Sequence, residues 1–197
     1  MIERIALKIT NFIFKNTELD SELYEVYKYG IEITISSLLN IVLIIAASIA
    51  VSDVISGVVF LAVFIPLRSF VGGYHAKTYF MCNALFLLTY LMIYYINSTA
   101  LGFIDVNLLS RLLTVLILLG IIPVIAFAPV ENPNKPLSEK QAKISRMIGI
   151  AAYIPLSIAG LALYYGDIRY GSFAIITLTS VSVLILIEII KTKRCKK

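Results

Sequence analysis

The chain has 197 residues, of which 59% are hydrophobic and only 15% are charged, and its mean hydropathy is +0.91. A soluble domain is nearer half apolar and a quarter charged, so this composition excludes an ordinary soluble protein and predicts a membrane protein. The net charge of +5 gives no argument for a nucleic-acid partner, because the basic residues follow the membrane topology. We expect one membrane-embedded domain over residues 1–197.

Residues 1–28 form an arm that precedes the first long apolar stretch. Apolar side chains recur in it at helical spacing, with charged side chains between them, at Ile2, Ile5, Ile9, Phe12 and Ile13. This pattern predicts an amphipathic helix that lies in the plane of the membrane interface. Such a helix would anchor the chain to the bilayer or recruit a partner helix.

Six apolar stretches follow, and they predict an all-α integral membrane protein of about six transmembrane helices. The second stretch is the shortest and reaches spanning length only with Asp53 or residues 69–71, so it is either a short span or a broken, re-entrant segment. The stretches are Tyr29–Val51, Val54–Leu67, Thr78–Asn97, Leu108–Ala128, Met147–Tyr165 and Gly171–Ile190.

Basic residues predict the orientation of these helices. Six crossings place four segments on one side of the membrane, and those segments hold all but two of the 17 basic residues. By the positive-inside rule both termini face the cytoplasm. The four segments are the arm 1–28, a loop 68–77, a basic loop 129–146 and a basic tail 191–197.

The stretch "RSFVGGYHAKTYFMC", residues 68–82, holds the only histidine and one of two cysteines. The glycine pair Gly72–Gly73 predicts a turn that ends the second helix. Thr78 then caps a new helix and places Cys82 in its first turn, near the positive end of the helix dipole. A loop before Thr78 lets His75 fold back towards the thiol, and its backbone amides would form an oxyanion hole. This spacing predicts a cysteine nucleophile with a histidine base.

Other interpretations of these residues remain open at this point. A buried cysteine is usually inert packing, and a lone histidine and cysteine occur together by chance. One histidine and two distant cysteines are too few for a metal site, so we expect no metal and no cofactor. Glu32, one turn into the first span, is a candidate acid that orients His75, or a structural partner of Arg68.

The loop 129–146 combines three prolines with a capping box at Ser138 and Gln141, which predicts a short helix entering the fifth span. Its basic side chains, together with Lys77, are either orientation signals or a surface that binds substrate. The loop residues proposed for binding are Lys135, Lys140 and Lys143.

The motifs "LRSFVGGYHAKTYFMC" and "APVENPNKPLSEKQ" resemble those of the accessory gene regulator protein B (AgrB) family, and the resemblance covers nearly the whole chain. It implies a bacterial membrane cysteine endopeptidase that processes the quorum-sensing propeptide AgrD at the cytoplasmic membrane. It also implies that His75 and Cys82 are the catalytic pair, that Arg68 and Gly73 are required, and that the protein is a homodimer.

The resemblance implies a reaction in two steps. Cys82 forms an acyl-enzyme thioester and releases the C-terminal tail of the propeptide, and a cysteine or serine of the peptide then closes a thiolactone or lactone ring. Two rival classes remain: a small transporter or channel component, in which a broken second helix lines a path, and a purely structural membrane subunit.

Overall fold

The computed structural model describes residues 2–17, 20–73, 78–130 and 138–195, with the side chains of 193–195 excepted. No β-strand occurs among these residues, which form seven α-helices and one short 3₁₀ turn. The helices are α1 (Ile2–Asn16), α2 (Tyr24–Ala50), α3 (Val54–Val71), α4 (Tyr79–Phe103), α5 (Val106–Phe127), α6 (Glu139–Gly166) and α7 (Ile168–Cys195), and the 3₁₀ turn is Ser21–Leu23.

Within the described part of the chain, six helices, α2 to α7, are long and apolar enough to cross a membrane. The predicted all-α class with six spans is therefore confirmed. The second span, α3, is the shortest, and its 18 residues form one continuous helix. It reaches spanning length because the helix continues past the apolar stretch through Arg68–Val71. The predicted loop 68–77 thus begins as the last turn of a helix.

The core of the bundle lies around α3 and α7. In α7 and α3, 44% and 39% of the apolar window is buried, against 17% in both α2 and α4. Helix α7 packs against α3, α4, α5 and α6. Aromatic rings fill the contact between α3 and α4, where Phe60 meets Phe86 and Tyr90 edge to face at centroid distances of 5.2 and 5.4 Å and stacks on Phe64 of its own helix at 4.9 Å. Helices α2 and α4 are consequently peripheral, and most of their apolar surface remains for lipid.

Side-chain caps define the starts of four spans. Asp53, Thr78, Asp105 and Ser138 each accept a hydrogen bond from a backbone N–H in the first turn of α3, α4, α5 and α6. The cap at Thr78 and the capping box of Ser138 with Gln141 are those that the sequence predicts. Each cap contributes about 1 kcal/mol to its helix. The starts of α4 and α6 are therefore determined locally.

Helix α1 packs against α2 through a narrow stripe of small side chains. Ala6 and Thr10 are fully buried, and the Tyr24 hydroxyl donates to Asn11 Oδ1 at 2.6 Å. A second apolar stripe on α1, which includes Ile9 and Phe12, remains exposed. Residues Ile2–Asn16 are helical, and the predicted role of this segment as an amphipathic helix in the membrane interface stays a prediction.

Candidate active site at the start of helix α4

The glycine turn after α3 requires glycine at both positions. Gly72 and Gly73 have φ values of +74° and +140°, a region that side chains with a Cβ rarely adopt. A Cβ on Gly72 would lie 2.4 Å from the carbonyl oxygen of Val130. The turn is also fastened to the segment after α5, since Val130 N donates to Val71 O at 2.9 Å. Residues 74–77, which include His75 and Lys77, lie outside the described residues, so their roles stay predictions.

Cys82 lies in the first turn of α4, as its spacing from Thr78 predicts. The Thr78 side chain accepts from Met81 N at 3.3 Å, and Cys82 N donates to Thr78 O at 3.0 Å. The thiol of Cys82 is free and partly exposed. A sulfur in the first turn of a helix lies at the positive end of the helix dipole, which favours negative charge there. Cys82 is thus not packed in the core, and its role as the nucleophile stays a prediction.

Arg68, in the last turn of α3, brings a positive charge to the same place. Its guanidinium interacts electrostatically with Cys82 and with Glu188 of α7, and it lies 5.6 Å from the centre of the Phe64 ring. A Cβ on Gly73 would approach Arg68 Nη1 to 3.4 Å. The glycine turn and the arginine are therefore in direct contact. The sequence did not assign Glu188 to the site, because an acid near the end of a span can simply reach the interface.

Glu32 is buried, and the structure gives it a partner that the sequence did not predict. The Tyr79 hydroxyl donates to Glu32 Oε2 at 2.7 Å. One turn further into the membrane, Ser36 Oγ donates to Asn83 Oδ1 at 2.8 Å, and both residues are buried. The only sequence signal for this pairing is the matched spacing of four residues on each helix. A contact of Glu32 with His75 stays a prediction.

The structure describes two of the three loop lysines that the sequence predicts to bind substrate. Lys140 and Lys143 are exposed in the first turns of α6, whereas Lys135 lies outside the described residues. Neighbouring Arg146 is used structurally, because its guanidinium donates to the Ile125 carbonyl of α5. The binding of substrate by Lys140 and Lys143 stays a prediction. Among the described residues no group of three or more histidine, cysteine or acidic side chains is arranged to hold a metal ion.

A second polar cluster lies at the other end of the bundle. Buried Asp53, which caps α3, forms an ion pair of 2.7 Å with Arg169 and accepts from the Tyr170 hydroxyl at 3.3 Å. Arg169 also donates to the Tyr94 hydroxyl, and its carbonyl accepts from Asn97 at 3.0 Å. These residues line a small cavity. The residues that line this cavity include no cysteine or histidine, and the cluster joins α3, α4 and α7.

Comparison with known proteins identifies the family of this chain. The family model for accessory gene regulator B matches residues 6–191. "Putative AgrB-like protein 2" of Clostridium perfringens (strain 13 / Type A) is 25% identical over 172 residues, which cover 85% of this chain and 80% of the relative. "Putative AgrB-like protein" of Clostridium perfringens (strain SM101 / Type A) is 24% identical over 170 residues, which cover 84% and 79%. No solved structure matches significantly. The chain therefore belongs to the accessory gene regulator B (AgrB) family of multi-pass membrane proteins.

Proposed function

We propose that this protein is a membrane cysteine endopeptidase that cleaves the C-terminal tail from an AgrD-like propeptide and permits its cyclisation. One observation carries the proposal. Cys82 is a partly exposed, free thiol in the first turn of α4, and it interacts electrostatically with the cation of Arg68 in a chain of the AgrB family. A nucleophilic thiolate needs such an electropositive and accessible setting.

The first step of the proposed reaction forms an acyl-enzyme. The Cys82 thiolate attacks a carbonyl carbon of the propeptide while His75 holds the proton of the thiol. The tetrahedral intermediate then collapses, the peptide C–N bond breaks, and the leaving amine takes the proton from the His75 imidazolium. The C-terminal tail leaves, and the rest of the peptide stays on Cys82 as a thioester.

The second step regenerates the free enzyme and closes a ring in the peptide. A cysteine or serine side chain within the peptide attacks the thioester carbonyl, and the Cys82 sulfur leaves and is reprotonated. Exchange of one thioester for another is nearly balanced in energy, so this ring-closing step requires no ATP. Water competes with the peptide nucleophile, and apolar helices around the site disfavour hydrolysis by excluding it. The product is a cyclic peptide of the kind used in quorum sensing.

Arg68 is placed to stabilise negative charge in both steps. Its guanidinium interacts electrostatically with the Cys82 sulfur, which carries a negative charge before attack and when it leaves. The aromatic ring of Phe64 and the nearby Gly73 restrict where the guanidinium can go. A cation fixed in advance stabilises developing charge without reorganisation, and such electrostatic stabilisation is a major source of rate acceleration in many enzymes.

The setting of the reaction follows from the topology that the basic residues predict. We place the start of α4 at the cytoplasmic surface of a bacterial membrane, where a newly made propeptide arrives. The partners are the AgrD-like substrate, the lipid bilayer and, as the family resemblance implies, a second copy of the chain. The exposed lysines of α6 lie ready for an acidic segment of the peptide.

The experiment is a cleavage assay with purified protein in liposomes and a synthetic AgrD-like propeptide. We expect Cys82→Ala to abolish release of the tail, and we expect mass spectrometry of the wild type to find the peptide acyl group on Cys82. The matched control is Cys195→Ser, which removes the other cysteine of the chain and should leave the rate unchanged.

Full cleavage by Cys82→Ala would refute the peptidase assignment. Normal membrane insertion with no cleavage by the wild type, under conditions where an AgrB protein of known activity cleaves its own propeptide, would favour the rival assignment of a transporter or channel component. Replacement of Cys82 by serine separates these classes, since a transport path would survive it and a thiol peptidase would not.

A further inference from the structure

We infer that Tyr79, Ser36 and Asn83 are positioning residues that hold the first turns of α4 against α2, so that Cys82 faces Arg68. In this arrangement Glu32 acts on the site through Tyr79 and not as a partner of the catalytic histidine. The inference rests on the proposed peptidase function, because it assigns roles in the reaction of Cys82.

Helix α4 needs such contacts because it is a peripheral helix. Only 17% of its apolar window is buried, against 44% for the central helix α7. Large side chains near its start are exposed, and Phe80 has 81% of its surface accessible. Apolar packing alone therefore does little to fix the rotation of α4 about its axis, since lipid solvates one apolar side chain as well as another.

Two hydrogen bonds supply the missing constraint, and they flank the nucleophile. Tyr79 lies three residues before Cys82 and donates to Glu32 at 2.7 Å. Asn83 directly follows Cys82 and accepts from Ser36 at 2.8 Å. Both pairs join α4 to α2 across one helix face, because each helix contributes residues four apart. The pairs thus act as a two-point clamp on the turn that carries the thiol.

Helix geometry relates this clamp to the direction of the thiol. At about 100° per residue, Tyr79 and Asn83 differ by about 40° around the axis, and Cys82 lies about 80° from their mean direction. The thiol is therefore turned away from α2, on a different side of α4 from the clamp. Arg68 of α3 interacts electrostatically with Cys82 there. A rotation of α4 would move the sulfur away from that charge.

The chemistry of the clamp suits a site at the edge of a bilayer. An acid buried among apolar helices is costly unless it is hydrogen-bonded, and Tyr79 is a neutral donor that satisfies Glu32. Breaking either pair leaves a buried polar group without its partner in a medium that offers little water. The two hydrogen bonds therefore fix the rotation of α4, whereas the apolar packing around them does not.

The test uses variants that separate a hydrogen bond from a charge. Glu32→Gln retains an oxygen that accepts from Tyr79 but removes the charge, whereas Glu32→Ala removes both. Tyr79→Phe and Ser36→Ala each remove a donor hydroxyl. The matched controls are Tyr95→Phe, which changes a tyrosine of α4 that is 71% exposed, and Ser37→Ala, which changes an exposed serine next to Ser36.

Each variant is made in a Cys195→Ser background and studied by two measurements. The first is kcat and KM for propeptide cleavage in liposomes. The second is the rate at which a small alkylating reagent modifies Cys82 as a function of pH, which reports the electrostatic surroundings of the sulfur independently of substrate. A thermal unfolding midpoint in detergent accompanies both, so that loss of folded protein is separated from misplacement of the thiol.

We expect Tyr79→Phe and Glu32→Ala each to lower kcat about tenfold or more, in line with loss of a hydrogen bond to a charged group, with KM changed less than about twofold. The alkylation of Cys82 should become slower. Glu32→Gln should restore kcat to within about threefold of the wild type, and the double variant Glu32→Ala with Tyr79→Phe should be no worse than either single one. The controls should resemble the wild type.

The opposite pattern would overturn the inference. If Glu32→Gln lowers kcat as much as Glu32→Ala does, while Tyr79→Phe keeps the kcat of the wild type, Glu32 acts through its charge and not through the hydrogen bond. If Tyr79→Phe and Ser36→Ala lower only the unfolding midpoint and leave kcat and the alkylation profile unchanged, the clamp is structural only. Failure of the peptidase assignment is seen separately, since either the wild type would then not cleave or Cys82→Ala would retain cleavage.

Discussion

The two ends of the helix bundle use charged residues in opposite ways. At one end Asp53 and Arg169 form an ion pair of 2.7 Å, and neighbouring tyrosines satisfy what remains of their hydrogen bonding. At the other end the positive charge of Arg68 acts on a partly exposed thiol, with the carboxylate of Glu188 as a second acidic neighbour. The first end joins helices, and the second end presents reactive groups. A charge in a membrane protein thus indicates function chiefly where its partner is a group that can react.

The prediction with the largest expected effect concerns which end of the bundle faces the cytoplasm. We expect impermeant thiol reagents on intact cells to label single cysteines introduced at the exposed residues Asn107 and Tyr165, and not one at Lys140. The reason is the concentration of basic residues at the Cys82 end. The background is Cys82→Ala with Cys195→Ser, and permeabilised cells control for reactivity. Labelling at Lys140 from outside would reverse the assigned topology.

The two arginines should respond differently to the same substitution. We expect Arg68→Met to lower kcat by about a hundredfold or more, the cost of removing a preorganised charge from an active site, with a small change in the unfolding midpoint. Arg169→Met should leave buried Asp53 unpaired, at a cost of about 3–5 kcal/mol in stability, with kcat per folded molecule unchanged. Cleavage kinetics and thermal unfolding in detergent measure both. Equal losses of kcat would remove the distinction between the two ends.

Gly73 should affect catalysis because it lies next to Arg68. We expect Gly73→Ala to lower kcat about tenfold, because the alanine must adopt a positive-φ conformation that costs about 1–3 kcal/mol, and relief of this strain would shift the turn next to the guanidinium. The matched control is Gly102→Ala at the far end of α4, where a Cβ meets nothing within 4 Å. Cleavage assays compare the two. Wild-type kinetics for Gly73→Ala would show that the turn tolerates displacement of Arg68.

The basic residues of the loop 129–146 should give the smallest effect. We expect the combined change of Lys135, Lys140 and Lys143 to glutamine to raise KM about threefold with kcat nearly constant, because exposed charges bind ground state and transition state alike. The attraction should be screened over a Debye length of about 8 Å at physiological ionic strength, so added salt should mimic the substitution in the wild type. An unchanged KM at low salt would leave these lysines as orientation signals only.

The sequence predicted those features of the site that depend on local contacts. The cap at Thr78, the place of Cys82 in the next turn and the positive-φ glycine pair all depend on neighbours within a few residues. The partner of Glu32 could not be predicted in this way. Tyr79 lies 47 positions away along the chain, and nothing in the sequence says which side of α2 meets α4.

The sequence by itself determined the membrane class, the six spans and the start of the helix that carries the thiol, because hydropathy, span length and capping are properties of short segments. Only the tertiary structure decided that Arg68 reaches Cys82, that Val130 fastens the glycine turn and that Asp53 pairs with Arg169. The physical reason is the solvent. In a soluble helix the apolar stripe identifies the face that packs, whereas a membrane helix is apolar on the face that meets lipid as well, so its packing face is defined only by its neighbours.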